Sequence, residues 1–329
     1  MQDIYFEPNY GKLYEKIEKG TSIFYEFSNE YGLITNLCIK REIPIVLEGD
    51  ESYYDITTPY GYGGPVIQEV VEGKEKELIE GYYENFSRFC LENNIVSEFI
   101  RFHPVIKNEK PFKDIYEIEG LRKTVGTDLK NFEDPFQEEF SKSARKNVRK
   151  AMREGVTYEV NTDPQSVDEF IDIYYNTMDR NEAEAYYYFD KEYFDRCLEY
   201  FPDNIITVKA IYNEETIAMG FYLVYGKYIH THLSGTLDGF LHLSPAYVLR
   251  YALTEWGKEN NYHLIHHGGA TTNDENDSLF RFKKRFGNHT EFNFSVGRKI
   301  WNQAVYDKLC EAVDADVESE FFPAYRSER

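Results

Sequence analysis

The chain has 329 residues, more than twice the roughly 150 of a typical domain, so two domains are expected and a single small module is excluded. Hydrophobic residues make up 42% and charged residues 29%, and no apolar run approaches the roughly 18 to 20 residues of a membrane span, which excludes integral membrane association. With 37 Lys plus Arg against 58 Asp plus Glu the net charge is −21, which disfavours general polyanion binding, because nucleic acid affinity rests largely on Lys and Arg neutralising phosphates; DNA is not an expected partner.

The opening MQDIYFEPNYGK has neither a basic nor an apolar leader region, so a cytoplasmic protein is expected. Residues 21 to 28 (TSIFYEFS) and 33 to 39 (LITNLCI) are rich in β-branched and aromatic residues and flank the turn-like NEYG, which predicts a hairpin. From 75 to 93, Leu78, Ile79, Tyr82, Tyr83, Phe86, Phe89 and Cys90 recur at spacings of three and four, an amphipathic helix. Short strands are expected at 98 to 102 and 121 to 129. Asp134 and Pro135 then start a helix that Gly155 stops. Its stripe of Phe140, Ala144, Val148 and Met152 lies opposite six cations, and the helix reads as a joint between domains. Next come a helix at 165 to 180, strands at 204 to 211, 215 to 225 and 227 to 234, a helix from Pro245 to about 260 and a strand at 262 to 267. A short helix at 278 to 286 and a strand at 290 to 297 complete the second part.

This order predicts an α+β fold in which a mixed sheet opens a cleft between strands. The first part repeats it: in both, strands lead through a Gly-rich loop (TPYGYGGP, SGTLDGF) into a long helix and a short strand ending near a His, so a duplicated domain is expected. The expected division is 1–133, 134–298 and a C-terminal helix and tail at 299–329 that returns to the first domain. The cysteines Cys38, Cys90, Cys197 and Cys310 form no CxxC pair and read as reduced core residues, with no metal site expected.

The cations are clustered. Lys142, Arg145, Lys146, Arg149, Lys150 and Arg153 fall in one segment without an acid, and Arg281, Lys283, Lys284 and Arg285 in another; removing these ten from the total leaves −31 on the rest. On a helical wheel of DSLFRFKKRFG (277 to 287), Leu279, Phe282 and Phe286 form the buried face and Arg281, Lys284 and Arg285 the solvent face. Lys283 falls between Leu279 and Phe280, on the flank of the buried face. Such an ammonium either snorkels or serves a site, where it stabilises an oxyanion or holds a phosphate. In DITTPYGYGGP (55 to 65), glycines such as Gly63 allow close backbone approach and Tyr60 and Tyr62 offer flat faces, which fits either a ligand platform or a rigid surface loop. Alternation places Tyr228, His230, His232 and Ser234 on one strand face, a pattern more typical of structural histidines than of a metal site. His266 and His267 before two glycines are weak as metal ligands too. No Walker loop, GxSxG elbow, HExxH or GxGxxG is present, and the usual acetyl-CoA glycine loop is missing; Ser244, Pro245 and Ala246 open the corresponding helix, whose free N–H groups suit an anion.

Taken together, TTPYGYGGP (57 to 65), SEFIRFHP (97 to 104), RKNVRKAMREGV (145 to 156), YYNTMDRN (174 to 181), HTHLSGT (230 to 236) and HHGGATTNDENDSLFRFKKRFG (266 to 287) resemble the FemAB-like branch of the GNAT acyltransferase superfamily. The resemblance implies two tandem GNAT-like domains and transfer of an acyl or aminoacyl group to an amine of a cell-envelope or polysaccharide precursor, lipid-linked or nucleotide-linked. It places Phe282 and Lys283 at the transfer site, with Lys283 on the oxyanion, His232 and Asp55 as base candidates, and Tyr60, Tyr62, Gly63, Arg101, His103, Arg145, Arg149 and Ser234 as substrate contacts. Ser244 and Ala246 would meet the donor. The expected donor is acyl-CoA; aminoacyl-tRNA is the alternative, and the long helical arm of many tRNA-dependent members is missing. A non-catalytic binding module for sugar-linked precursors is the reading outside enzymology.

Overall fold

The computed structural model describes residues 2–47, 51–270, 272, 274, 276–316 and 321–327. By its internal contacts the chain divides into a first unit, 1–121 with 293–329, and a second, 122–292. In the first, Pro8 opens α1 (Pro8–Glu18), followed by β1 (Gly20–Asn29), β2 (Gly32–Glu42), β3 (Tyr54–Thr57), β4 (Val66–Val70), α2 (Glu75–Glu92) and β5 (Ile95–Arg101). Strand β6 (Glu117–Asp128) leads into the second unit. That unit continues with α3 (Pro135–Glu138), α4 (Lys142–Arg153), β7 (Thr157–Asn161), α5 (Asp168–Arg180), α6 (Lys191–Tyr200), β8 (Ile205–Tyr212), β9 (Glu215–Tyr225), β10 (Tyr228–Thr236), α7 (Pro245–Glu259), β11 (Leu264–Gly268) and α8 (Ser278–Lys284). Strand β12 (Glu291–Ile300) leads back, and α9 (Gln303–Ala312) belongs to the first unit.

Both units repeat one order. In the first, β1, β2 and β3 pair antiparallel, α2 crosses over, and β5 returns parallel to β3. In the second, β8, β9 and β10 pair antiparallel, α7 crosses over, and β11 returns parallel to β10. Each crossover helix buries its apolar stripe on its own sheet. Leu78, Tyr82, Phe86 and Cys90 of α2 pack with Ile34, Cys38 and Ile56; Val248, Leu249, Ala252 and Leu253 of α7 pack with Ile206, Val208, Val224 and Ile229. Area removed from water at about 25 cal/mol per Å² is what holds each helix down. This is the expected α+β class with an internal duplication.

The helix expected from 134 to 155 is two helices, and both lie inside the second unit, not at a joint. Asp134 caps α3 by accepting the Gln137 N–H (3.1 Å), and Ser141 restarts the chain as α4 by accepting that of Ala144 (3.2 Å). Between them Glu139 is fully buried, and its carboxylate accepts the N–H groups of Asp128 (3.3 Å) and His289 (2.9 Å) and the Thr290 hydroxyl. Periodicity misses the break because Phe140, Ala144 and Val148 do share one apolar contact, against Phe286; Met152, expected with them, is exposed. The units divide at 121/122 within β6 and at 292/293 within β12, where the sequence places the boundaries at 133/134 and 298/299. Helices α1 and α6 and strands β3, β4 and β7 have no counterpart among the elements expected from the sequence.

Candidate active site

Strands β10 and β11 pair at only three positions, Tyr228 with Leu264, Ile229 with Ile265 and His230 with His266. Beyond them the ladder stops. A bulge between His230 and Leu233 shifts β10 against β9, and β11 shifts against β6 after His266. The far end of β10 is held by α5: the Thr177 hydroxyl accepts the Thr236 N–H (2.7 Å), and Arg180 donates to the Thr236 carbonyl (2.8 Å). Gly235 is required there, because a Cβ would lie 2.5 Å from the Ile173 carbonyl oxygen. The two parallel strands thus end as a fork.

At the fork, Asp277 caps α8 by accepting the Phe280 N–H (2.9 Å), and Lys283 Nζ donates to the carbonyl of Gly269, just past β11 (2.7 Å). Burial lowers the Lys283 pKa to about 7; Arg250 and Arg122 push the same way, and Asp277 opposes them. Phe282 meets Tyr247 in the first turn of α7 edge to face (5.5 Å), which brings α8 against the helix that Ser244 and Ala246 open. The wheel places Phe286 correctly, fully buried, but Leu279 is 38% exposed. Helix α8 has seven residues and is anchored by its later turn, so its first turn stands clear.

Residues 139–284 match the family described as the acetyltransferase (GNAT) domain. The chain has the fold of FemX, at a TM-score of 0.71 and 12% identity over 93% of this chain and 94% of that one. The C-terminal domain of a putative lysylphosphatidylglycerol synthetase from Agrobacterium fabrum is similar at 0.56 and 13% identity, over 92% of this chain and 90% of its own. L-PGS from Bacillus licheniformis is similar at 0.53 and 15%, over 91% and 93%. No curated protein sequence matches the chain. Residues 139–284 thus match a GNAT acetyltransferase domain, and the chain as a whole has a FemX-like fold.

Within the matched GNAT segment, Phe282 beside Lys283 touches Tyr247, the residue after Ala246 at the start of α7. Ser244 adopts a left-handed conformation (φ 55°) and makes no side-chain cap, and Pro245 stands at the first helical position. His232 on β10 is bonded through Nε2 to the Tyr193 hydroxyl (2.7 Å), and burial with His230 nearby lowers its pKa to about 3, so it stays neutral. A group so hard to protonate is a weak general base. Ser234 is half-buried on the same strand. Arg145 turns back to the carbonyls of Gln137 and Phe140, and Arg149 lies over the Phe136 ring (5.5 Å). Arg149 also borders a cleft of about 440 Å³ whose other charged residues are Glu133, Asp134, Glu255, Glu259 and Lys258, an acidic balance. Three positions of the 266–287 stretch, 271, 273 and 275, lie outside the described residues.

The remaining expected contacts belong to the first unit, where they build architecture. Asp55 is buried, accepting from Arg41 Nε (2.9 Å), Arg326 Nε and the Tyr325 hydroxyl (3.3 Å), contacts that hold the C-terminal segment. Tyr60 stacks on Tyr14, and its carbonyl accepts the Tyr10 hydroxyl (2.8 Å). Tyr62 is buried against Tyr5, His103 and Phe294. Gly63 donates to the Arg101 carbonyl (2.8 Å), and Arg101 donates to the Thr58 carbonyl (3.2 Å). His103 Nδ1 accepts the N–H groups of Val105 and Ile106, which leaves its proton on Nε2, 3.3 Å from Asp3. The loop at 58 to 65 is therefore largely buried, with Tyr60 and Gly61 half-buried, and is not a surface loop.

Two residues of the site escape a reading of the sequence. Arg250 on α7 is 6% exposed and donates to the Tyr222 hydroxyl (2.6 Å). His267 on β11 reads from the sequence only as a weak metal ligand. The wheel that singles out Lys283 would also find Arg250, whose neighbours at i+3, i+4 and i+7, Leu253, Thr254 and Gly257, are all buried.

Proposed function

We propose that this transferase moves an acyl group from an activated donor to an amine of a cell-envelope or polysaccharide precursor, with chemistry at the fork between β10 and β11. The observation that carries the reading is a lysine held by burial at a pKa of about 7, bonded to a strand end where sheet pairing stops. A neutral amine attacks the donor carbonyl, a C–N bond forms, and protonated Lys283 stabilises the oxyanion. Collapse breaks the C–S or C–O bond to the leaving group, which takes the proton the amine gives up. Phe282, between Tyr247 and Phe286, fixes the turn that carries Lys283.

A thioester such as acyl-CoA is the first donor: its phosphates need only a small site, for which the start of α7 offers the N–H of Ala246, that of Ser244 being bonded to the Leu241 carbonyl (3.0 Å). An aminoacyl-tRNA donor is favoured by a different observation, the exposed basic face of α4 with Lys142, Lys146, Arg149, Lys150 and Arg153. The synthetase-like folds make an aminoacyl group on an envelope component a consistent variant of the same transfer. Turnover by Lys283→Met against wild type tests the site, and binding of CoA against charged tRNA at two salt concentrations tests the donor. A tRNA affinity that falls steeply with salt would replace the CoA assignment, and full turnover without Lys283 would end the reading.

A further inference from the structure

The buried polar groups behind Lys283 are incompletely satisfied. Arg250 offers five N–H donors, of which Nη1 is used on the Tyr222 hydroxyl, and its Nε is buried without a partner among the described residues. The same guanidinium lies 5.5 Å from the centre of the Tyr222 ring. Tyr222 is fully buried, and Gly220 makes room for its ring, since a Cβ there would lie 2.1 Å from it. No carboxylate pairs with Arg250 among the described residues, although a buried guanidinium without one is costly. Next to it, Thr127 donates its hydroxyl proton to the Phe286 carbonyl (2.6 Å), so the hydroxyl accepts from His267 Nε2–H (2.8 Å). That fixes the tautomer and leaves His267 Nδ1 a bare acceptor, buried and unpartnered among the described residues. The positive charge of Arg250 acts on both neighbours, adding to the burial that lowers His267 and Lys283.

A buried arginine held by one neutral phenol, beside a lysine and a neutral histidine, is a site of positive charge awaiting an anion. We propose that Arg250 is the oxyanion anchor of the fork, receiving a carboxylate or phosphate of the substrate through its Nε–H while Tyr222 holds the guanidinium in place. A planar fork of donors suits such a group better than an ammonium would. The anchor fixes one end of the substrate so that its reacting carbonyl or amine lies against Lys283. It deepens the transfer-site reading and rests on it only for which molecule brings the oxyanion.

The test is a ¹H–¹⁵N correlation spectrum of the arginine Nε–H groups of the full chain, titrated with phosphate, acetate and chloride at constant ionic strength. One resonance, absent from Arg250→Lys, is expected to move saturably with phosphate or acetate and to stay still in chloride. Whichever anion saturates first gives the chemistry. Arg250→Met is expected to keep or raise Tm, because it removes an uncompensated charge, and to lose the Tm increase that the anion gives wild type. Non-saturable shifts in wild type, or an anion-induced Tm increase that survives in Arg250→Met, would overturn the assignment. The same titration of Lys283→Met separates the two readings. Anion binding by a wild type that shows no transfer, or whose transfer survives in Lys283→Met, sinks the transferase mechanism and leaves the anchor; transfer that depends on Lys283 with an unmoved Arg250 resonance sinks the anchor alone.

Discussion

The two units build the same fork and finish it differently. In the first, β3 and β5 pair in parallel at four positions, and the loop beyond continues the closure: Thr58 N–H donates to Phe99 (3.2 Å), Gly63 N–H donates to Arg101 (2.8 Å), and Gly63 bridges to Phe102. Asn108 secures the loop by donating to the carbonyls of Gly63 (2.9 Å) and Pro65 (3.0 Å). In the second, pairing stops after His230 and His266, and the fork holds Lys283 with Arg250 and His267. Each unit also buries an ionisable group. Glu98 of the first accepts from Asn36 (3.0 Å), Tyr116 (3.1 Å) and Trp301 (3.2 Å). The difference teaches that burial of charge does not by itself mark a site. Glu98 has its donors within the fold, whereas Arg250 Nε and His267 Nδ1 have no partner among the described residues.

The comparison breaks most visibly at Lys283. Lys283→Met is expected to cost about 1,000-fold in transfer, the size of losing one oxyanion donor, while the melting temperature holds or rises. The protonated lysine is the active form and its folded pKa is about 7, so the transfer rate should fall as pH climbs through about 7. Lys283→Arg should carry that falling limb to higher pH; a limb that stays put belongs to another group.

The closed fork should answer in stability instead. Tyr62→Ala removes a buried ring from the first unit and is expected to cost about 3 to 5 kcal/mol in urea unfolding. A loss of activity at unchanged stability would return the loop to the functional surface. Next in size is the pH dependence of Glu98, whose carboxyl is pushed by burial from 4.5 up to about 7 against the pull of its three donors. Between those values the folded state holds a proton that the unfolded state has released, so this group makes stability fall as pH rises from 4.5 to 7. The slope is on the order of 3 kcal/mol in total and should vanish in Glu98→Gln; urea midpoints at about pH 5 and pH 8 for both proteins decide it. The smallest effect is at α4, where Arg149→Ala should alter stability by less than about 0.5 kcal/mol. If tRNA is the donor, the same change lowers the slope of log affinity against log salt by about 1.

Local periodicity carries much of this. The β1/β2 hairpin, α2, α5, the strands β8 to β10 and α7 all stand within a few residues of where alternation or helical spacing places them, and a wheel of one short segment puts Lys283 on the flank of a buried face. Other features are not legible. Composition describes the loop at 58 to 65 as glycines and tyrosines, but whether such a loop faces a ligand or fills a core depends on Asn108, Arg101 and Tyr5, which are distant in sequence. Asp55 reads as a free acid until Arg41 and Arg326 are seen to converge on it from either side of the chain.

The sequence by itself determined which elements form and which face of each is apolar, because a helix or strand repeats its geometry every few residues. Tertiary structure alone decided which fork is filled and which is left with unsatisfied donors and acceptors. That depends on whether a partner arrives from elsewhere in the chain, and hydrogen-bond satisfaction across more than a hundred residues, as between Thr127 and His267, leaves no periodic trace.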